Sequence, residues 1–465
     1  MSRSDQPGSL SSLDRIVSDG ACHRCGSCSG ICPAGVIEPG DDYFPQWRPR
    51  SERCTDCGLC VKVCPGAAFD FPAFSERCFG RAAALADDHG HFIQAFLGYS
   101  TDPEMRRVAA SGGLGTRLPQ FLLETGRVAA ALSVGADPER PWRSRPYWSR
   151  TPADLKAGQV SKYTACSVNH LLREVREEPG PLLFTGLPCH VHGLLKMGEI
   201  SSALERKVFL RIGLLCHSTL DPNGMRDMLA HYRIDERQMA RLVYRHGKLP
   251  GFWRAEMRDG REVFLPYPGV GTRGYRPTSK ECLTFLFKLY SPRRCRMCID
   301  GFSEFADISI GDPYLKGWQG MAKLKQGYNV VFARTERGLA VLEEAARAGA
   351  IVLEPLTRAQ ALGDGVAMIR AKRTRALYTI RRQRAAGRVA PDYGLERAFP
   401  LGERVRAALH CASYYPADHR WLRRILYPLL LSPAGRLVVA GLFFRRRVLE
   451  AMLAKFRARR GVDRP

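Results

Sequence analysis

Between about residues 90 and 355 the chain alternates between two hydrophobic rhythms. Short apolar runs of strand character, VAAALSVGA (128–136), PLLFTGLP (181–188), KVFLRIGLLC (207–216), ADISIGD (306–312) and YNVVFART (328–335), are separated by stretches of helical period such as LPQFLLETG (118–126) and GLAVLEEAARAG (338–349). Strands alternating with helices predict an α/β (α+β layered) body. Residues from about 20 to 80 follow another rule, with short connections and a two-fold internal repeat. After about residue 356 the pattern turns basic and helical, which predicts an appendage. The expected division is 1–89 for the repeat, 90–180 and 181–355 for two parts of one α/β domain, and 356–465 for a basic helical tail.

The repeat consists of CHRCGSCSGICP, from Cys22 to Pro33, and CTDCGLCVKVCP, from Cys54 to Pro65. Evenly spaced cysteines closed by a distal Cys-Pro form the spacing of a bacterial ferredoxin. A tight loop wraps three thiolates round one corner of an iron–sulfur cube, and the chain carries the fourth to the other cube. Cys22, Cys25, Cys28 and Cys64 are therefore expected to hold one 4Fe–4S cluster, and Cys54, Cys57, Cys60 and Cys32 the other. A disulfide framework belongs to small secreted domains, whereas the N-terminus MSRSDQPGSLSSLDRIVSDG has no apolar signal-peptide core. Zinc sites use paired CxxC units without a third evenly spaced cysteine.

Of the sixteen cysteines, eight lie outside the repeats. Cys295 and Cys298 form RCRMC, while Cys189 ends TGLPC and Cys216 ends RIGLLC, each just after a strand-like run. Strand ends are where α/β folds gather their sites, so these four are candidates for a third cluster. The CxxC alone is equally a redox dithiol or half a zinc site. Cys78, Cys166, Cys282 and Cys411 read as structural cysteines.

Charge adds a further constraint. With 71 Lys+Arg against 46 Asp+Glu the formal net charge is +25, concentrated in RAKRTRALYTIRRQRAAGR (Arg370 to Arg388) and in the segment after Arg420. Such a balance suits an acidic redox partner or an anionic membrane; nucleic acid is disfavoured because the basic stretches lack interleaved aromatics. ILYPLLLSPAGRLVVAGLFF (425–444) is broken by Pro428, Pro433 and Arg436, which argues against a spanning helix. It suits either a buried helical hairpin or a helix lying among lipid headgroups. The cysteine usage places the protein in a reducing, cytoplasmic setting, with peripheral contact on the inner face of the membrane as the alternative to a purely soluble location.

Two glycine patterns differ in weight. GVGTRG at Gly269 has no strand entering and no helix leaving, so it is not a dinucleotide fingerprint. SGGLGT at Ser111 precedes a helical run, where backbone amides can approach a phosphate.

Taken in order, the repeat at Cys22 to Cys64, ASGGLGT, QVSKY, FTGLPCHVHGL, LLCHS, RCRMCIDGFSEFADISIGDPY and GYNVVFARTERG resemble the beta subunits of coenzyme F-420-reducing hydrogenases and dehydrogenases over residues 15 to 355, with a two-cluster ferredoxin segment in front. The resemblance implies FAD beside a 4Fe–4S cluster. It implies that Ser111, Gly112 and Gly113 hold FAD phosphates, and that Lys162, Tyr163, Thr185 and Gly186 line the flavin. Asp307, Gly311 and Asp312 would complete that wall. His190 follows Cys189 where many relatives carry Gln, which makes it a candidate proton donor. The implied activity is that of an iron–sulfur flavoprotein oxidoreductase passing electrons between a ferredoxin-type carrier and an organic substrate. The alternatives are oxidation or reduction of the deazaflavin coenzyme itself, a non-catalytic electron-transfer subunit, and a redox protein of polysaccharide biosynthesis.

Overall fold

The apolar runs of the middle of the chain become one eight-stranded mixed sheet. Among the described residues the strands are β1 Ile37–Pro39, β2 Pro45–Trp47, β3 Gln94–Ser100, β4 Ala130–Ala136, β5 Ser144–Ser149, β6 Leu182–Gly186, β7 Val208–Leu214, β8 Met239–His246, β9 Phe252–Met257, β10 Glu262–Leu265, β11 Ile308–Gly311, β12 Asn329–Ala333 and β13 Ile351–Leu356. The large sheet has the order β13-β3-β12-β11-β7-β6-β4-β5. The computed structural model describes residues 9–47, 53–83, 88–246, 252–265, 288–313, 323, 326–432 and 434–435. The GVGTRG segment, Cys282, Pro433 and the arginine-rich stretch from Arg436 onward lie outside these residues.

Strands β11, β7, β6 and β4 run parallel, and β12 is antiparallel to both β11 and β3. The C-terminal ends of β3, β4, β6, β7 and β11 therefore share one edge of the sheet with the N-terminal end of β12. The sheet is covered on both faces, so even the antiparallel strand β12, NVVFA, has all five residues buried. Helices Leu114–Glu124 and Glu336–Arg347 pack apolar stripes, including Leu118, Leu122, Val341 and Leu342, into one core.

The cysteine repeat is built into this body. Leu13, Val63, Phe69 and Phe71 share a single core with Leu182, Phe184 and Val191 of the sheet layer. The Asn169 amide donates to the Cys25 carbonyl at 2.9 Å, and Phe69 N donates to Asp392 O at 2.6 Å. Cys166 is buried in the same core, with Cys78 packed against it.

Two compact units are present: Met1–Pro222 with Ser291–Ser413, and Asn223–Tyr290 with Tyr414–Pro465. The first holds the repeat and the large sheet, so segments 90–180 and 181–222 with 291–355 build one sheet together. The second holds the antiparallel sheet β10-β9-β8 and helix Arg420–Leu431. Within it Trp253 is fully buried against Tyr244, and Tyr427 meets Tyr290 and His231 edge-on.

The described residues after 356 include helices Arg358–Ala385, Leu401–Ala412 and Arg420–Leu431, and the first of these is not peripheral. Helix Arg358–Ala385, capped by Thr357 and bent at Gly363, belongs to the first unit. Its side chains reach the loop that carries Cys295 and Cys298. Arg373 donates to Ile299 O at 3.2 Å and pairs with the buried Glu304. A Cβ on Gly301 would stand 2.1 Å from Ile369 Cδ1, so this helix lies close on the loop and a larger residue there would move the Ile369 side chain. Among the described residues no helix is long and apolar enough to cross a membrane.

Because Arg373 and Glu304 are 3% and 4% exposed, breaking the pair leaves an uncompensated buried charge. Arg373→Met is expected to destabilise the protein by roughly 3–5 kcal/mol, and Arg373→Met with Glu304→Met to recover much of that loss. Urea unfolding of both variants checks this; equal loss in the two would show that the charge is not the cause.

Candidate functional site

The repeat in sequence is a repeat in backbone. Arg24 and Asp56 hold the same position between paired cysteines and both take left-handed φ, 60° and 51°. Gly26 and Gly58, at φ 86° and 73°, then start the short helices Ser27–Ile31 and Leu59–Lys62. Each loop thus follows the same backbone path between its cysteines.

Other cysteines of the repeat are the electrostatic neighbours of these thiols. Burial pushes Cys22 up to about 12, with Cys64 and Cys25 adding to the effect. Burial raises Cys25 to about 11, again with Cys64 contributing. Cys28 is raised by burial and then by Cys22, Cys25 and Cys64, with Cys60 of the second loop adding to the effect. In the other loop, burial pushes Cys60 up to about 11, helped by Cys32, Cys57 and Cys54. In the first set Cys25 and Cys64 are buried and none is exposed; in the second Cys60 is buried and Cys57 reaches the surface.

Cys189, Cys216, Cys295 and Cys298 converge although 109 residues separate the first from the last. Cys189 opens helix Pro188–Gly198 after β6, Cys216 follows β7, and the other two lie at the 3-10 turn Arg293–Met297. All four line one cavity, and Cys22 of the first set lines it too. Burial raises Cys189, with further contributions from Cys25, Cys216, Cys298 and Cys295. Burial pushes Cys216 up to about 12, while Lys372 works in the opposite direction.

The walls of this cavity carry donors without acceptors. His23 Nε2, Nε and Nη1 of Arg24, and Nε and Nη1 of Arg294 are buried and lack hydrogen-bond partners. Arg24 uses its other terminal nitrogen on Asp221 at 2.6 Å, and Arg294 uses its own on Tyr393 Oη at 2.6 Å. Unpaired buried guanidinium nitrogens are destabilising unless an anion meets them. Thiols and guanidinium groups with unsatisfied nitrogens around one cavity are a donor set that an anionic, thiolate-held iron–sulfur cube would satisfy. Arg294 is the first residue of RCRMC, but the cysteine spacing does not mark it as part of the cavity wall; Lys372 lies in a basic run that gives no signal beyond charge.

The residues expected at a flavin divide. Ser111, Gly112 and Gly113 sit at the sheet edge, with Gly113 (φ 81°) capping helix Leu114–Glu124. Asn329, at the start of β12, ties this loop to β11: its Nδ2 donates to Ser111 Oγ at 2.6 Å and to Gly311 O at 3.1 Å. Its Oδ1 accepts from Leu114 N at 3.3 Å. As the first residue of an apolar strand run, Asn329 carries no signal of this role in the sequence. Gly112 is demanded by packing, since a Cβ would stand 2.5 Å from Gly98 O and 2.8 Å from Asn329 N.

Thr185 and Gly186 end β6 at the same edge, and Thr185 Oγ1 is buried without a partner. Gln159 reaches Met105 O at 2.7 Å, beside the Gly113 loop, while Tyr163 O accepts from Leu220 N at 2.7 Å near Thr219 of the cysteine cavity. The QVSKY segment therefore runs from one place to the other. Lys162 Nζ donates to the carbonyls of Gly158, Gln159 and Val160 at 2.9–3.2 Å and holds the turn where Val160 has φ 78°. Gly311 and Asp312 follow at the end of β11.

Two expectations need correction. Asp307 precedes β11 and stands at the opposite edge of the sheet, away from Gly311. Burial opposes its ionisation, but the Arg211 guanidinium, bonded to both carboxylate oxygens at 2.9 Å, holds it below the usual carboxylate range. His190 is not a free proton donor: Nδ1 accepts from Leu187 N at 3.2 Å and Nε2 donates to Cys166 O at 3.1 Å. Burial lowers its pKa to about 4, so it is neutral and serves as a helix cap.

With this geometry in place, comparison with known proteins is specific. Residues 95–173 match the N-terminal region, and residues 181–359 the C-terminal region, of the coenzyme F-420 hydrogenase/dehydrogenase beta subunit. The chain belongs to this family. Residues 21–68 match a 4Fe-4S dicluster domain. Similar proteins include one component of the F(420)H(2) dehydrogenase of Methanosarcina mazei, 22% identical over 70% of this chain and 82% of that protein. The beta subunit of the coenzyme F-420 hydrogenase of Methanothermobacter thermautotrophicus is 24% identical over 57% of this chain and 86% of its own length. The coenzyme F-420-dependent sulfite reductase of Methanocaldococcus jannaschii is 23% identical over 70% of this chain, which spans 46% of that longer protein. A chain of the F-420-reducing NiFe hydrogenase complex from Methanosarcina barkeri shares the fold, with TM-score 0.51 at 20% identity over 65% of this chain and 95% of that one. The chain is thus an iron–sulfur oxidoreductase related to F-420 hydrogenase and dehydrogenase beta subunits.

Asp307→Asn is expected to cost about 2 kcal/mol of stability at neutral pH without altering bound cofactor. The depressed carboxylate contributes above its unfolded pKa, so the gap from wild type narrows as pH falls through the lower, folded pKa. Denaturation curves across pH, with cofactor content measured alongside, check both parts; cofactor loss at unchanged stability would return Asp307 to the flavin wall.

Proposed function

We propose that the chain passes single electrons through three 4Fe–4S centres to FAD at the edge of the large sheet, and thence to or from an organic substrate. The carrying observation is the cavity lined jointly by Cys22 and by Cys189, Cys216, Cys295 and Cys298. Cys54, Cys57, Cys60 and Cys32 would hold the surface centre, where an external carrier of ferredoxin type meets the exposed Cys57. Cys22, Cys25, Cys28 and Cys64 would hold the interior one, and the four converging cysteines the third. Clusters of this kind accept and release one electron at a time, at potentials set by burial and hydrogen bonds to sulfur.

FAD, when bound, couples one-electron carriers to two-electron chemistry on a substrate. The residues present fit it. The N-terminus of helix Leu114–Glu124 and the small side chains of Ser111–Gly113 offer amides to a phosphate. Thr185 Oγ1, buried without a partner, offers a hydrogen bond toward the same edge. Asn329 holds the phosphate loop against Gly311, so the loop is formed before ligand arrives. The bond-making substrate is of the organic redox class, with reduced or oxidised deazaflavin as the alternative favoured by the names of the similar proteins.

Anaerobically reconstituted protein is expected to hold about twelve irons, four per cube, and Cys298→Ser or Cys189→Ser to lose about four. A wild-type value near eight would remove the third centre. One FAD per chain is expected. Thr185→Val should weaken FAD binding by up to roughly tenfold, with no loss of stability in the flavin-free protein. Flavin titration by fluorescence quenching measures this; unchanged affinity would take Thr185 out of the site.

A second reading concerns location. Helix Arg420–Leu431 leaves Trp421, Ile425 and Leu429 between 53% and 61% exposed along one stripe, with Arg420 and Arg424 exposed beside it. Its other face, with Tyr427 buried, is already packed. We infer peripheral contact with an anionic bilayer, where each arginine contributes about 1 kcal/mol and the apolar stripe adds burial. Full-length protein should sediment with phosphatidylserine vesicles and not with phosphatidylcholine alone, and Trp421→Ser with Ile425→Ser should weaken that binding at least tenfold. Binding that survives both changes, or no binding at low salt, contradicts this reading.

A further inference from the structure

We propose that Lys372 is a potential-setting residue, a fixed buried positive charge that holds up the reduction potential of the third cysteine-held centre. The proposal rests on the three-centre reading given above. Lys372 comes from helix Arg358–Ala385, outside every cysteine motif, and is 6% exposed. Its ammonium donates to Cys216 O at 2.9 Å and to Asp300 O at 2.8 Å, and the side chain lines the cavity shared by Cys189, Cys216, Cys295 and Cys298. The two acceptors are neutral carbonyls placed on either side of the cysteine set. The Asp300 carboxylate is committed elsewhere, to His192 Nε2 and to the amides of Phe302 and Glu304, each at 3.0 Å.

The ammonium cannot withdraw to solvent. Its helix is pressed onto the cysteine loop at Gly301 and Ile369, and the next residue, Arg373, is bonded to Ile299 O and paired with Glu304. Reduction of a thiolate-held cube adds one electron and hence one negative charge. In a low-dielectric cavity a nearby cation stabilises the reduced form more than the oxidised form, which raises the potential. A lysine needed only for its two hydrogen bonds would leave the potential unmoved when replaced by a neutral donor.

The test uses full-length, anaerobically purified protein, with potentiometric titration followed by electron paramagnetic resonance and iron counted in each sample. Lys372→Gln keeps a donor for the carbonyls and removes the charge. The third centre's midpoint is expected to shift to lower potential, the N-terminal pair to stay in place, and Lys372→Arg to restore the third midpoint toward wild type. A Gln variant with full iron and an unmoved third midpoint overturns the proposal. If Gln loses about four irons, the Arg variant decides: retention by Arg supports a requirement for charge, and loss in both makes the residue structural and overturns the proposal. Wild-type protein with about eight irons removes the three-centre reading before any variant is compared, so the two failures are distinct.

Discussion

Buried positive charge beside buried thiols is the constraint on which this structure depends. Arg24 and Arg294 each bury guanidinium nitrogens without partners, and Lys372 brings an ammonium to the same cavity. In the interior such groups are destabilising unless negative charge is delivered to them. Thiols pushed up by burial do not supply it as protonated groups; bound to metal they do, because binding releases their protons. The arrangement is therefore one in which folding and assembly of the metal centres favour each other.

That demand accounts for how the parts interlock. The sheet contributes Cys189 and Cys216 from the ends of two adjacent parallel strands, β6 and β7. The repeat contributes Cys22 to the same cavity wall. Helix Arg358–Ala385 closes the assembly by placing Lys372 and Arg373 on the loop after Cys298. Arg294 ties these pieces together, bonding Tyr393 Oη at 2.6 Å and reaching Pro65 O, next to Cys64, at 3.5 Å. A ferredoxin-like segment sharing one core with the α/β body is held in place against Cys189, Cys216, Cys295 and Cys298, as single-electron relay would require.

Much of this was legible in the sequence, for physical reasons. The cysteine repeat is a local geometry, so its spacing alone carries the expectation of a two-cluster segment, which the match to a 4Fe-4S dicluster domain supports. Apolar strand runs forecast the α/β sheet, and strand-end cysteines forecast convergence at one edge. What escaped was set by tertiary packing. The motif ADISIGD does not say that its two aspartates fall at opposite ends of one short strand, so Asp307 was misplaced. His190 looks like a proton donor until both ring nitrogens are seen to be used. Asn329, Lys372 and Arg294 act through position in space, and the basic segment after 356 hid a structural helix inside what reads as an appendage.

The central claim is that the inner N-terminal centre and the third centre are neighbours across one cavity. Electron paramagnetic resonance of the fully reduced protein tests it most directly, because neighbouring reduced clusters broaden each other's signals. Wild-type protein should show an interacting pair, and Cys298→Ser should leave the remaining N-terminal signals narrowed to those of a protein without that neighbour. Signals that are identical in the two proteins would contradict the account.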